Sequence, residues 1–400
     1  MKTPIEGGPQ QLHLSLTNNP TEMVITWISR DKDEPSIVQY GLSADSLTSS
    51  QQGTIFTYNA GIDGWYGWIH RATLGDLKTA TRYYYRVGMP NSWSDVFSFK
   101  TAPALSDPSY NKQVVALLAD QGTYPKSWEL IDLMIASHQE EAFDVVLHAG
   151  DICYAGTGHE WEIEEVWDIW EDWVEPIAAN VPYMFSVGNH EQYYDFMAYN
   201  NRFLMPGAQS GGNGNFWYSF DYGLVHFLCF STEHPYLPGT PQYAWIEQDL
   251  IKANKNRQER PWLIVSAHRP FYCTDANEWD AHRPGSVLPA FFEPLFLQYK
   301  VDLYVCGHQH VYERVHPNIN GTVVASGNTY TNPAAPVYLV HATGGVLCDL
   351  DYVEPQPEWS AVRLSETGFG KMVINETHIA YQFLLYQNGT VGDYFYLQKT

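Results

Sequence analysis

Seven residues of the kinds that hold metal ions close five apolar runs of this chain. Residues 114–119 run into Asp120-Gln121-Gly122, and residues 145–149 into Gly150-Asp151-Ile152-Cys153-Tyr154. Residues 183–187 lead to Gly188-Asn189-His190-Glu191, residues 263–267 to His268, and residues 301–306 to Gly307-His308-Gln309-His310. The donors are two carboxylates (Asp120, Asp151), a carboxamide oxygen (Asn189), a phenol (Tyr154) and three imidazoles (His268, His308, His310). A phenolate beside carboxylates suits a trivalent ion such as Fe(III); imidazoles with an amide oxygen suit divalent Zn, Fe or Mn. One carboxylate can bridge two ions, so this set can serve two metals. Two ions ~3.5–4 Å apart clamp the attacking and leaving oxygens of phosphoryl hydrolysis. Each residue alone has an ordinary reading. Asp120 or Asp151 could cap a helix, His268 could be a satisfied core histidine, and a His-x-His pair could be one polar face of a loop. One shared site explains all five run ends at once.

The elements that must position these residues follow from periodicity. Apolar runs alternate with stretches of helical period at 126–138, 161–179, 243–253 and 288–299, which predicts a layered α/β domain. In such sheets ligands gather at the carboxyl ends of strands. The stretch 161–179 is expected to bury Trp161, Ile163, Val166, Trp167, Ile169, Trp170 and Trp173 on one face and to turn its acids outward. From residue 368 the pattern is β again, with Asn388-Gly389 as a hairpin turn, and reads as a closing element of the catalytic domain. Ahead of it, short alternating strands at 12–16, 23–28, 37–40, 68–74, 83–87 and 96–99 predict a β-sandwich in which Trp27 points inward and His70 is strand packing. Residues 103–108 are rich in Ala, Ser and Pro. The expected division is a β-domain at 1–103, a linker at 104–112 and a catalytic domain at 113–400, with its β-element at about 368–400.

Composition narrows the function. Hydrophobic residues make up 44% of the 400, enough for large cores. The net charge of −23 disfavours a nucleic-acid partner, which needs basic surface. It also means that an anionic substrate must find its positive charge elsewhere, and a metal centre supplies it. No segment approaches the ~20 apolar residues of a membrane span, so no membrane role is expected. The first 11 residues lack the apolar core of a signal peptide. Either the protein is cytosolic or a signal has been removed, and sequons at Asn320, Asn375 and Asn388 favour the second, a secreted or lysosomal/vacuolar glycoprotein. Five cysteines, with no CxxC pair, leave at least one thiol free or paired between chains.

The ordered set Asp120-x-Gly122, Gly150-Asp151-x-x-Tyr154, Gly188-Asn189-His190-Glu191, Val265-x-x-His268 and Gly307-His308-x-His310 resembles the purple acid phosphatases, a branch of the binuclear metallophosphoesterases. Gly122 where other branches carry histidine, together with Tyr154, marks the purple branch. Residues 261–264 and 268–273 resemble the long animal and fungal-type enzymes, and residues 11–101 resemble a fibronectin type III-like domain. The resemblance implies a metallophosphoesterase sandwich of mixed sheets flanked by helices behind that all-β domain. It assigns Asp120, Asp151, Tyr154 and His310 to Fe(III), and Asp151, Asn189, His268 and His308 to the divalent ion, with Asp151 bridging. It makes His190 a substrate-side histidine, with His282 the candidate for a second. The absence of a cysteine between Cys273 and His282 argues against a local disulfide at Cys273. The implied activity is acid hydrolysis of small phosphate monoesters, with a metal-bound hydroxide as nucleophile.

Two rival readings remain at this level. A phosphodiesterase, phytase or nucleotide pyrophosphatase could use the same ligands, because the pocket rim selects the substrate. A secreted binding protein could retain an idle metal centre. An Fe(III)/Fe(II) pair could also support peroxide chemistry as a side activity.

Overall fold

A computed structural model describes residues 8–32, 35–104 and 111–400. Residues 105–110 of the expected linker and the first seven residues lie outside the described residues.

The strands from Gln10–Ser15 to Phe97–Lys100 form two antiparallel sheets. Strand Met23–Ser29 pairs along its whole length with Trp68–Leu74. Trp27 is fully buried and stacks on His70 at 5.1 Å, while the His70 ring nitrogens bond to Ser29 and Ser36. His70 is therefore the satisfied packing residue expected of it.

The larger part of the chain is a sandwich of two seven-stranded mixed sheets. The first runs in the order Tyr183–Ser186, Val145–Ala149, Gln113–Leu118, Gly368–Ile374, His378–Leu385, Val391–Gln398 and Thr329–Thr331. Its first three strands are parallel; Gly368–Ile374 then pairs antiparallel with Gln113–Leu118. The C-terminal β-segment thus completes a sheet that the start of the catalytic part began. The second runs Tyr218–Tyr222, Val225–Cys229, Trp262–Ser266, Leu303–Cys306, Val337–His341, Tyr312–Val315 and Ser360–Leu364. The sheets meet face to face: Ser186 and Ser266 hydroxyls lie 3.0 Å apart, and the Tyr312 and Phe383 rings stack at 4.0 Å.

Strand alternation explains the layers. Ile264, Leu303, Val305 and Leu339 face the inter-sheet core. Their neighbours Leu263, Val265, Tyr304 and Val340 face outward onto helices Pro241–Asn254 and Val287–Gln298. Both faces are covered, so these strands read as unbroken apolar runs. Helix Pro241–Asn254 begins at a Thr240 cap with proline in its first turn, the preorganised start for a helix.

Helix Glu164–Ala178 departs from expectation. It starts three residues later than the pattern predicted, leaving Trp161 and Ile163 exposed, and Ile169 is exposed as well. Its acids Glu164, Asp168 and Glu171 are buried. The cause is Arg202, itself fully buried, whose guanidinium pairs with all three. The β-sandwich closes the same cluster. Trp65 Nε1 donates to Asp168 at 3.0 Å, Tyr58 donates to Glu164, and Arg202 lies over the Trp65 ring at 4.6 Å. Periodicity could not see this, because the partners come from segments more than 30 and 100 residues away. One hydrophobic core is continuous from Trp27 and Tyr85 into Val114 and Leu117, and the Tyr85 hydroxyl donates to Ala179 O at 2.7 Å.

Candidate metal centre

The carboxyl ends of three strands of the first sheet and two of the second converge at one edge of the sandwich. Asp120 and Asp151 follow neighbouring parallel strands, and the turns after them are tied together: Asp120 N donates to Gly150 O, and Gln121 N to Asp151 O, each at 3.1 Å. Within the second sheet, after two neighbouring parallel strands, Gly307 N donates to His268 O at 2.8 Å. Four of the seven donor residues sit in the left-handed region, with φ of 54° (Asp120), 52° (Asp151), 61° (Tyr154) and 75° (His308). That conformation costs about 1–3 kcal/mol for a residue with a side chain and persists only where surrounding structure enforces it. Here it turns successive side chains back over the strand ends.

Two halves emerge. In one, the Tyr154 hydroxyl donates to Asp120 Oδ1 at 3.0 Å and lies 3.1 Å from His310 Nε2. In the other, His268 Nε2 is 3.1 Å from Asn189 Oδ1 and 3.2 Å from Asp151 Oδ2. Asp151, His268 and His308 offer donor atoms that all lie within 4.8 Å of one another. His268 Nδ1 donates to Ala149 O at 2.9 Å, which leaves Nε2 as the nitrogen aimed into the centre.

Glycines make room for this. A Cβ on Gly307 would strike Asp120 Oδ2, and one on Gly188 would strike Asp151 Oδ1. The carboxylates lie directly against bare backbone, and Asp120 Oδ2 takes the His308 N–H at 2.9 Å.

The two histidines expected on the substrate side flank the donors. The His190 backbone N–H donates to Asp151 Oδ1 at 2.9 Å, and its ring is partly exposed, 4.5 Å from the Tyr154 ring. His282 lies on the opposite side, 5.9 Å from the His308 ring, with Nδ1 donating to Pro270 O at 2.7 Å. It lines a 520 Å³ pocket with Thr232, Glu233, Tyr236, Arg269 and Leu288.

Residue patterns did not single out three further members. The buried Glu191 carboxylate accepts from the backbone N–H groups of Asp151, Ile152 and Gly188 at 2.8–2.9 Å, locking the two ligand turns together. Arg269 pairs through Nε and Nη2 with Glu233. Glu278 reaches His308 Nε2 at 3.1 Å. Glu191 closes the stretch Gly188-Asn189-His190-Glu191, yet nothing in its sequence says that its side chain folds back. Glu278 lies in a loop 30 residues from its partner.

The electrostatics of the donor set fit cations. Asp120 and Asp151 are buried, and among the described residues neither pairs with lysine or arginine. Burial pushes the Asp120 carboxyl well up, against the pull of His268. Burial would also raise Asp151, but the adjacent His268 overrides it and holds the carboxyl below the usual range. The converse effect pushes His268 up to about 10, with Asp151 outweighing the burial penalty. Burial, then the Asp120 and Asp151 charges, push the Tyr154 phenol well above its ordinary value. The carboxylates and the phenol outnumber the one cationic ring, His268, so cations entering the set would favour the ionised phenol and draw phosphate.

Comparison with known proteins agrees with this geometry. Residues 9–101 match the model described as "Purple acid Phosphatase, N-terminal domain", residues 74–312 that of "Calcineurin-like phosphoesterase", and residues 335–394 that of "Iron/zinc purple acid phosphatase-like protein C". Human acid phosphatase type 7 is 36% identical over 398 residues, covering 94% of this chain and 87% of the relative. A soybean (Glycine max) purple acid phosphatase is 32% identical over 406 residues, covering 96% and 83%. This chain belongs to the purple acid phosphatases. A purple acid phosphatase from yellow lupin (Lupinus luteus) seeds superposes with a TM-score of 0.86 at 26% identity, covering 98% of this chain and 75% of that one. The chain is thus a metallophosphoesterase hydrolase. The purple acid phosphatases are phosphatases with a binuclear metal centre, and the model matched by residues 335–394 has iron and zinc in its description. All five of its cysteines are free thiols.

Proposed function

We propose that this purple acid phosphatase hydrolyses small phosphate monoesters with Fe(III) held by Asp120, Tyr154 and His310 and a divalent ion (Zn, Fe or Mn) held by Asn189, His268 and His308. Asp151, between the two groups, would be shared by both ions. The observation that carries the proposal is the Tyr154 hydroxyl set between Asp120 Oδ1 and His310 Nε2, at 3.0 and 3.1 Å. When bound, the two ions offset phosphate charge and make a nucleophilic water available below neutral pH.

The chain's own residues supply the rest. Glu191 fixes Asp151 through its backbone N–H, so the bridging carboxylate keeps its place as charge moves. His190, anchored by its own N–H on Asp151, presents a partly exposed ring that gives its proton to the departing alkoxide oxygen. His282 and Arg269 line the neighbouring pocket, where the organic part of the ester is placed. The relative from onion (Allium cepa) named phosphoenolpyruvate phosphatase is 33% identical, which supports a monoester rather than a diester.

The deciding experiment is a visible spectrum with metal analysis on one sample of wild type and Tyr154→Phe. A tyrosinate–iron band in wild type that vanishes in the variant is expected; a colourless oxidised wild type, or a variant that keeps the band, refutes the iron assignment. Rates on p-nitrophenyl phosphate, its bis ester, ATP and phytate test the substrate class. We further place the protein in a secreted or lysosomal/vacuolar setting with glycans at Asn320, Asn375 and Asn388, all exposed. Among the described residues no helix is long and apolar enough to cross a membrane. A mobility shift on glycosidase treatment of native protein checks the glycans.

A further inference from the structure

Two residues beyond Glu191, the chain makes a second grip on the loop that carries Tyr154. The Tyr193 hydroxyl donates to Gly156 O at 2.6 Å and lies 3.1 Å from His159 O. Its ring lies against Gly156: a Cβ there would stand 2.2 Å from Tyr193 Cζ. Gly156 and His159 are the ends of a turn, closed by the His159 N–H on Gly156 O at 3.1 Å. The preceding turn starts at Tyr154, whose carbonyl accepts from Thr157 N at 3.3 Å. One short segment thus holds this loop at two places. Glu191 accepts from the N–H groups of Asp151 and Ile152, and Tyr193 bonds the carbonyl of Gly156. Tyr154 lies between the two grips.

The backbone after Tyr193 is built to keep it there. Tyr194, Asp195 and Phe196 have φ of 50°, 58° and 59°. Left-handed residues with side chains are strained and normally occur singly. Three in succession persist only between fixed points. Phe196 is the far point: it is buried, with its ring 4.8 Å from His234 and 5.2 Å from Phe216. Tyr193 on Gly156 is the near one. Tyr154 needs such support. Its hydroxyl is held at the tip by Asp120 and His310, while its own backbone stands at φ 61°, which the surroundings must enforce.

We propose that Tyr193 is a positioning residue for the phenol of the centre, a role that rests on the assignment of Tyr154 to Fe(III) made above. Tyr193 fixes the turn behind Tyr154, so that the Tyr154 hydroxyl stays between Asp120 and His310. Partners outside the ligand set orient the ligands, and losing one costs about 10–100-fold in metal affinity. Tyr193 acts through the backbone of the turn, so the lower end of that range applies to it.

The test uses purified holoenzyme, wild type and carrying Tyr193→Phe, Gly156→Ala or Tyr154→Phe. The readouts are the tyrosinate–iron band, iron retention against a chelator, content of the second metal and the urea midpoint. Tyr193→Phe keeps the ring and removes the hydroxyl. Gly156→Ala attacks the same contact from the other side: its methyl displaces the Tyr193 ring, and Gly156 is not among the residues of positive φ. Each is expected to move the band maximum and to weaken iron retention by about 10-fold, with the second metal unchanged. A wild-type band and wild-type iron retention in Tyr193→Phe overturn the role even where the urea midpoint falls, because a merely structural contact changes stability alone. If Tyr193→Phe fails to fold, Gly156→Ala decides by the same criteria. Equal loss of both metals also overturns the role, because it points to general disruption. A Tyr154→Phe protein that keeps the band overturns the Fe(III) assignment and the role with it. Loss of the band in Tyr154→Phe beside an unmoved band in Tyr193→Phe overturns the role alone.

Discussion

Replacing Gly307 by alanine adds a single methyl group beside the metal centre. That methyl would stand 2.7 Å from Ala119 Cβ and closer still to Asp120 Oδ2. Carbon atoms pack at about 3.5–4.0 Å, so roughly 1 Å of displacement is needed. Ala119 belongs to fully buried backbone and cannot move far. The relief must come from Asp120, whose carboxylate is held by the His308 N–H and the Tyr154 hydroxyl. Overpacking of this kind costs about 1–3 kcal/mol. Gly307 is not among the residues of positive φ, so backbone strain does not contribute. Elsewhere a glycine-to-alanine change at such a position stabilises by about 0.4–1 kcal/mol through the unfolded chain. The sign of the stability change therefore discriminates between an open and a filled space. Urea melts of metal-free protein should show a lower midpoint at constant slope. A misplacement of about 1 Å in a catalytic group also costs about 100-fold in rate. In the holoenzyme the kcat for p-nitrophenyl phosphate should fall by about that factor, with iron content reduced. A variant as stable as wild type, or more so, with wild-type iron and rate, would refute the close approach of Asp120 to this backbone.

Other consequences can be checked separately. Arg202→Met leaves Glu164 and Glu171 buried without their cation and Asp168 with only Arg30, and should destabilise by about 3–5 kcal/mol in urea melts. Limited proteolysis of that variant should release the β-sandwich first, since the cluster joins it to the helix. Stability should fall as pH rises from about 4.5 toward 8. Burial, then the neighbouring Glu164, push Glu162 up to about 8 from an ordinary 4.5. Between those values the folded state keeps a proton that the unfolded state has released, so its contribution is full at low pH and lost as pH passes the folded value. Glu162→Gln should flatten this slope in melts run at pH 5 and 8. His190→Ala should lower kcat by about 10²–10⁴-fold on alkyl phosphates, less on p-nitrophenyl phosphate, and leave metal content intact. Equal losses on both substrates would remove its role as proton donor.

What the chain declares by itself is the part of the site that lies in consecutive residues. Donors at the ends of apolar runs are legible because a strand that enters the core must leave it at a predictable edge, and its next residues are then at the sheet margin. Asp120, Asp151, Asn189, His268 and His308 could be proposed from that rule and from donor chemistry, and the structure brings their side chains together. His70 and Trp27 were legible for a similar reason: alternation fixes which face a strand residue takes. The supports of the site were not legible. Glu191 folds back onto amides of another turn, Glu278 reaches a histidine 30 residues away, and the acids of helix Glu164–Ala178 turn inward to Arg202. Each depends on distances between segments that only packing sets. Helical period marks an acidic face as solvent-facing because an unpaired buried carboxylate is costly; it cannot register a buried cation supplied from elsewhere in the chain. Local pattern therefore determined where the proposed donors and their strands lie in the chain, while the tertiary fold decided how those side chains are held and what surrounds them.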